Sequence, residues 1–303
     1  MIAARFQVSR VGVVYLARGA DEDAREKFSA FAESYRRWNA GLDHQLHVIF
    51  KGFRNSEDLI KGQEALGDLD YHALYLDDAG FDLGAYFIAA ERVVHDELCF
   101  LNTASRICGP NWLAKLAANL DQPDVGMVGC TASYEAPQHP GLRNIPFPNV
   151  HLRSNAFMLR RDLFIAIRPK APLVEKIDAH LLEHGVDNIT RRIASMGLRT
   201  LLVGKNGRGY GPRMWPGSRT FRQGTQDNLL IADNQTDGYI TAPVPEKRAL
   251  FHLSWGDLAI RGLGVTAVRG SSDGDVLESA DISGPAFNTN KASRRSRRRA
   301  PKR

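Results

Sequence analysis

The chain has 303 residues, of which 43% are hydrophobic, 24% charged and 9% aromatic, enough for one large core or for a core with a subdomain. Its net charge is +6, but residues 291–303 hold eight Lys or Arg and no acid, so the remainder carries −2 and a generally basic nucleic-acid-binding body is not indicated. Cys99, Cys108 and Cys130 lack CxxC spacing and a nearby His pattern, which speaks against zinc, and no run approaches the ~18 apolar residues of a spanning helix.

The N-terminus, with Arg5 and Arg10 around a polar QVS, does not read as a signal peptide. Residues 11–17 (VGVVYLA) are a short β-branched run closed by a turn, and predict a buried strand. Between Asp21 and Trp38, Phe28, Phe31, Ala32 and Tyr35 fall on one helical face, with Asp21, Glu22 and Asp23 at the end that favours acids. The unit then repeats. Strands are expected at 45–50, 72–76, 97–101 and 125–130, and helices at 55–66, 82–94 and 110–120, the last with Pro110 in its first turn. Such alternation predicts an α/β fold with a mostly parallel central sheet covered by helices on both faces. Residues 136–148 hold four prolines and read as a loop, 150–159 as a strand, 174–196 as a helix broken near Gly185, and 199–203 as a strand. A Gly-rich basic loop follows at 204–219, and residues 247–262 close the folded body. We assign residues 1–270 to one domain and 271–303, poor in core residues, to a disordered basic tail.

Ligands of open α/β sheets bind beyond the carboxyl ends of the strands. There lie Arg18, Lys51, Asp77-Asp78 and Asn102 to Ser105. Two cations suit a diphosphate and two carboxylates suit a ribose or base, although turn chemistry and helix capping use the same acids. Gly80 and Gly84 in DDAGFDLGAY (77–86) suit close backbone approach at a helix start. His151, Arg153 and Asn155 alternate, so on one strand they share a face.

GFDLGAY (80–86) followed by FLNTASR (100–106) resembles the family 2 glycosyltransferases of the GT-A fold, in the branch that includes rhamnan-synthesis-type and related uncharacterised bacterial surface-polysaccharide enzymes. PNVHLRSNAFMLRRDLF (148–164), LEHGVDNITRRIASMGLRTLLVG (182–204) and QDNLLIADNQT (226–236) extend the likeness over roughly residues 11–255. The resemblance implies a nucleotide-diphosphate sugar donor and inverting transfer of the sugar to a hydroxyl of a glycan or lipid-linked acceptor. With the strand ends, the basic loop and the alternating strand residues read in that light, the nucleotide-sugar is expected at Tyr15, Arg18, Lys51, Asp77, Asp78, Asp82, Asn102 and Arg208, and the acceptor at His151, Arg153, Asn155 and Trp215. Trp215 and Trp255 are candidates to stack on sugar rings, whereas Trp112, beside Leu113 and Leu116, suits the core. The general base expected on a late helix is Glu183, with Asp187, four residues on, as second choice.

One departure matters. Members of the family end the fourth strand in Asp-x-Asp, which holds Mg²⁺ or Mn²⁺ on the diphosphate, and here the triplet is Asn102-Thr103-Ala104. Hard cations want carboxylate oxygens, so catalysis is metal-independent, or the metal is held elsewhere, or activity is lost. No cofactor is assigned. Metal-free transfer needs other positive charge, for which the loop bearing Lys205, Arg208, Arg213, Arg219 and Arg222 is the candidate. The expected location is cytoplasmic, with the tail drawing the protein to the anionic inner face of a membrane. A non-catalytic nucleotide- or glycan-binding protein of the same fold is the first alternative, and nucleic-acid association through the tail the second.

Overall fold

The computed structural model describes residues 9–138 and 144–257; the expected tail at 271–303 and the end of the expected body lie outside them. In chain order the elements are β1 (Val11–Arg18), α1 (Ala24–Arg37), β2 (His44–Lys51), α2 (Ser56–Leu66), β3 (His72–Tyr75), α3 (Phe81–Arg92), β4 (Glu97–Leu101), β5 (Arg106–Ile107), α4 (Trp112–Leu120), β6 (Val125–Gly129) and β7 (Ala132–Ser133). After the loop come β8 (His151–Leu152), β9 (Ala156–Arg160), α5 (Arg161–Ala166), α6 (Lys176–His184), α7 (Ile189–Ser195), β10 (Arg199–Val203), β11 (Gly209–Tyr210), a 3-10 helix (Pro212–Gly217), β12 (Ile231–Ala232), α8 (Asn234–Thr241) and α9 (Val244–Trp255).

The central sheet has the order β11-β10-β6-β9-β4-β1-β2-β3. β1 pairs in parallel with β2 and β4, β2 with β3, and β6 with β10. β9 runs against both β4 and β6, and β11 runs against β10. Six of the eight strands therefore share one direction, and the fold is the mostly parallel α/β class that alternation predicts.

Burial follows from the period of two. On β1, Val11, Val13, Tyr15 and Ala17 pack with Phe28, Phe31 and Ala32 of α1, Leu66 of α2 and Trp112, Leu113 and Leu116 of α4. Val14 and Leu16 face the other way, onto Leu83, Tyr86 and Phe87 of α3, Phe164 of α5 and Ile193 of α7. A continuous apolar run is what a strand buried on both faces requires. Cys99 and Cys130 are buried free thiols.

Local signals set most boundaries. Asn55 caps α2 by accepting the Asp58 N–H at 2.9 Å, and Gly67 ends it at φ 65°. The long late helix breaks at Gly185, and Asn188 caps the second piece by accepting from Arg191 N. Three expectations are corrected. α4 starts at Trp112 after Asn111 at φ 56°, so Pro110 precedes the helix. The strand expected over 150–159 is two, β8 and β9, parted by a turn at 153–155. The basic loop is partly ordered by β11 and the 3-10 helix.

In the amino-terminal half of β2, His47 Nε2 and His95 Nε2 lie 2.7 Å apart, and His95 Nδ1 lies 2.7 Å from the Ser9 carbonyl. Burial, with the adjacent His95 and His72 rings, lowers His47 to about 4. An unfolded chain would take up a proton near 6.5, so His47 favours the fold fully above that pH and less as pH falls toward 4. Urea denaturation between pH 7 and pH 4 should show on the order of 2–3 kcal/mol lost through this group, with a flatter profile in His47→Leu.

Candidate active site at the carboxyl edge of the sheet

The parallel strands bring Arg18, at the end of β1, beside Lys51, at the end of β2; the two are register partners. Arg18 grips Asp78 with Nε at 2.9 Å and Nη2 at 2.7 Å, and reaches Asp21 with Nη1 at 2.8 Å. That hydrogen bonding raises the guanidinium and holds the Asp78 carboxyl below the usual carboxylate range. Lys51 is buried. Its ammonium donates to the carbonyls of Ala79 at 2.8 Å and Phe81 at 3.1 Å, with Asp78 Oδ1 at 3.5 Å. Burial lowers its pKa, and Asp78 and Asp82 oppose that shift.

Those carbonyls belong to a strained turn. Gly80 sits at φ 73° and Phe81 at φ 54°, a left-handed value that costs a bulky residue on the order of 1–3 kcal/mol. This explains GFD: Gly80 takes the conformation a side chain resists, and Gly84 N closes the first turn of α3 on the Gly80 carbonyl at 2.8 Å. Gly84 itself faces open space. Asp82 then stands in the first turn of α3. Burial lifts its carboxyl to about 6; Asp21 and Glu183 add to the rise, while Lys51 and Arg18 oppose it. Asp77 is exposed and unpaired among the described residues.

On the other side of the cleft stands Glu183 of α6. It accepts the Ser154 N–H at 3.0 Å. Burial pushes its carboxyl up, but Arg153, His184, the Ser154 N–H and His151 outweigh this, and the net direction is down. Asp82, Glu183, Ser154, Lys176 and His180 line one cavity of ≈ 180 Å³ with Phe81, Leu83 and Ala179. Asp187 does not share a helix face with Glu183, because α6 ends between them; it is exposed and paired with Arg192 at 2.8 Å.

His151, Arg153 and Asn155 do not form one strand face. His151 is buried in β8, its Nδ1 on the Asn149 carbonyl at 2.8 Å, and burial lowers it to about 4, with the neighbouring His184 adding. Arg153 pairs with buried Asp233 at 2.9 Å and lies 4.4 Å from the centre of the Phe221 ring. Arg222 covers the same ring at 4.8 Å and reaches Glu135 at 3.3 Å. Asn155 accepts from the Thr131 hydroxyl, and its Nδ2 is buried without an acceptor among the described residues. Its carbonyl takes Asn102 N at 2.9 Å and Ser105 Oγ at 3.2 Å, which ties this turn to the end of β4.

The triplet 102–104 is a poor cation site. Asn102 Oδ1 already accepts from Ser105 Oγ at 2.9 Å, the Thr103 carbonyl accepts the buried Tyr15 hydroxyl at 2.9 Å, and Ala104 has no ligand atom. No group of three or more His, Cys, Asp or Glu among the described residues is placed to hold a metal. The donors present at this triplet therefore do not fit a divalent cation. Tyr15 stacks on Phe31 at 3.6 Å and is a fully buried core residue, with no exposed surface to offer a ligand.

Two further expectations are corrected. Arg208 lies after β10, four strand positions from β1, on the order of 19 Å away. Its loop is fastened to α4 by Lys115 Nζ on the Lys205 carbonyl and Asn119 Nδ2 on the Gly207 carbonyl. Trp215 is fully buried, its indole N–H donating to the Tyr210 carbonyl at 2.8 Å, and Trp255 likewise donates to the Phe221 carbonyl at 2.9 Å. Neither ring is open to a sugar. Lys176, His180, Ser154 and Asp233 were not singled out from the sequence; the i, i+3 spacing of His180 and Glu183 is the one signal that places a second group on the Glu183 face.

No known protein family and no curated protein matches this chain. Among solved structures, a mannosyltransferase from Pyrobaculum calidifontis in complex with GDP-Man and Mn²⁺ is similar at 14% identity and a TM-score of 0.45, covering 88% of this chain and 77% of that one. A 4-diphosphocytidyl-2C-methyl-D-erythritol synthase from Anaerococcus prevotii has 11% identity and a TM-score of 0.39, covering 57% and 83%. TarS 1–349 of S. aureus in complex with UDP-GlcNAc has 12% identity and a TM-score of 0.35, covering 50% and 45%. At these values the likeness assigns no activity, and the fold class rests on the strand order itself.

Lys51→Met should leave the Ala79 and Phe81 carbonyls without a donor and cost about 1–3 kcal/mol by urea denaturation. Trp215→Ala should cost about 3–5 kcal/mol in the same measurement, a packing loss that an exposed stacking residue would not show.

Proposed function

We propose that this protein is a glycosyltransferase of the GT-A type, moving a sugar from a nucleotide-diphosphate donor to a hydroxyl with inversion. One observation carries the reading. Two cations and a set of carboxylates meet at the carboxyl edge of β1 and β2, and one of those carboxylates, Asp82, shares a cavity with Glu183, the acid expected on the late helix. In this reading Arg18 turns from Asp78 to the diphosphate, Asp77 and Asp78 meet the nucleoside, and the carboxylate pair Asp82 and Glu183 serves the acceptor. Where the family's carboxylates would hold a cation, Asn102 Oδ1 accepts from Ser105 Oγ and Ala104 offers no ligand atom, which supports metal-independent transfer. Arg153, beside Glu183, belongs to the acceptor side. A glycan or lipid-linked hydroxyl is the acceptor proposed. No helix among the described residues is long and apolar enough to cross a membrane, and approach to a membrane through the basic tail is part of the proposal.

A second reading, donor binding without transfer, is favoured by the triplet Asn102-Thr103-Ala104, which lacks the carboxylates that activate the donor in the family. Calorimetric titration with UDP-, GDP- and dTDP-sugars, followed by turnover in EDTA, separates the two. Transfer predicts binding of one donor and turnover that persists in EDTA, with Arg18→Ala weakening the donor by about 10- to 100-fold. Binding without turnover selects the second reading, and loss in EDTA restored by Mn²⁺ sinks metal independence.

A further inference from the structure

The two carboxylates of the cleft stand in different surroundings. Glu183 Oε1 already holds the Ser154 N–H, and Arg153 and the His151 and His184 rings face the same acid. Asp82 accepts no hydrogen bond and makes no ion pair among the described residues, although it is only half-buried and lines the shared cavity. Its position is imposed by Lys51, which holds the strained turn immediately before it. The charged and titratable groups facing Asp82 are Asp21, Arg18 and Lys51 from the β1 and β2 ends, Glu183, Lys176 and His180 from α6, and on α3 itself Tyr86, whose phenol is raised by burial and by Asp82. It therefore stands between the cations expected at the diphosphate and the acid expected at the acceptor.

Resting on the transfer reading above, we propose that Asp82 takes the proton of the acceptor hydroxyl, and that Glu183 is a positioning residue that holds the Ser154 turn against the cavity. In the step, the bond from the anomeric carbon to the diphosphate oxygen breaks and its electron pair leaves on the diphosphate. The acceptor oxygen forms the new bond to the anomeric carbon, and its proton passes to an Asp82 carboxylate oxygen and then to solvent. A base works best when its pKa lies near the working pH. Asp82, lifted to about 6 by burial and by Asp21 and Glu183, meets that condition, and Glu183, held down by Arg153, does not.

The test uses the full chain with UDP-glucose, GDP-mannose and dTDP-rhamnose, and water as the acceptor. Hydrolysis is followed against pH for the wild type, Asp82→Asn and Glu183→Gln. Asp82→Asn should lower kcat by about 10²- to 10⁴-fold with the donor KM within a few-fold. The acid limb of kcat/KM near pH 6 should vanish from the residual activity of Asp82→Asn and persist in Glu183→Gln. A carbon-13 titration of the Asp82 carboxyl in the free protein should have its midpoint near 6 and move down in Glu183→Gln, a readout that survives if Asp82→Asn does not fold. The assignment is overturned if the acid limb persists in Asp82→Asn, if Glu183→Gln alone removes it, if Asp82→Asn raises KM without lowering kcat, or if Asp82 titrates as an ordinary carboxyl. A wild type that binds and turns over none of the three donors fails the transfer reading itself and takes the assignment with it. Turnover by the wild type with an unchanged Asp82→Asn fails the assignment alone.

Discussion

The buried ammonium of Lys51 is the contact on which the cleft depends. It enters from the end of a core strand, so its position is as rigid as the sheet. It donates to two carbonyls of a turn that holds Phe81 at positive φ, a conformation the local chain disfavours. Fixing that turn places Asp78 against Arg18 and Asp82 in the cavity with Glu183. A cation expected to face a ligand thus spends its donors on backbone. The strand-end cations still shape the field of the site, because Lys51 and Arg18 temper the rise in the Asp82 pKa.

The second constraint is the reversed strand. β9 lies between β4 and β6 and runs against both, so the turn that feeds it falls at the edge where the parallel strands end. That is why Arg153, Ser154 and Asn155 meet the end of β4 and why Ser154 can donate to Glu183. Behind this turn, two guanidiniums enclose the Phe221 ring and are met by Asp233 and Glu135. Arg219, Arg222 and Gln226 take positive φ in this stretch. Desolvated charge and left-handed backbone are tolerated together here because each guanidinium finds a carboxylate and a ring face.

Much of the fold was legible in the residues. Apolar runs such as VGVVYLA are long enough for a strand and too short for a helix, and Phe28, Phe31, Ala32 and Tyr35 keep a helical period. Asn55, Gly67 and Gly185 mark helix ends by local chemistry. These signals act over a few residues, so a linear reading recovers them. Of the site, Arg18, Lys51, Asp78 and Glu183 were legible as strand-end cations, a turn acid and a late-helix acid.

What a linear reading could not decide is which side chain is used up by another. Trp215 stands among glycines and arginines, as an exposed ring would, and only packing shows its indole spent on the core. Arg208 reads as a phosphate contact until the sheet order puts it at the far edge. His151, Arg153 and Asn155 read as one strand because the turn between β8 and β9 is created by contacts with Thr131 and the end of β4, far along the chain. The sequence by itself determined the elements and the acids and cations available. The tertiary structure alone decided their partners, because burial and pairing are set by distances across the sheet that no local signal encodes.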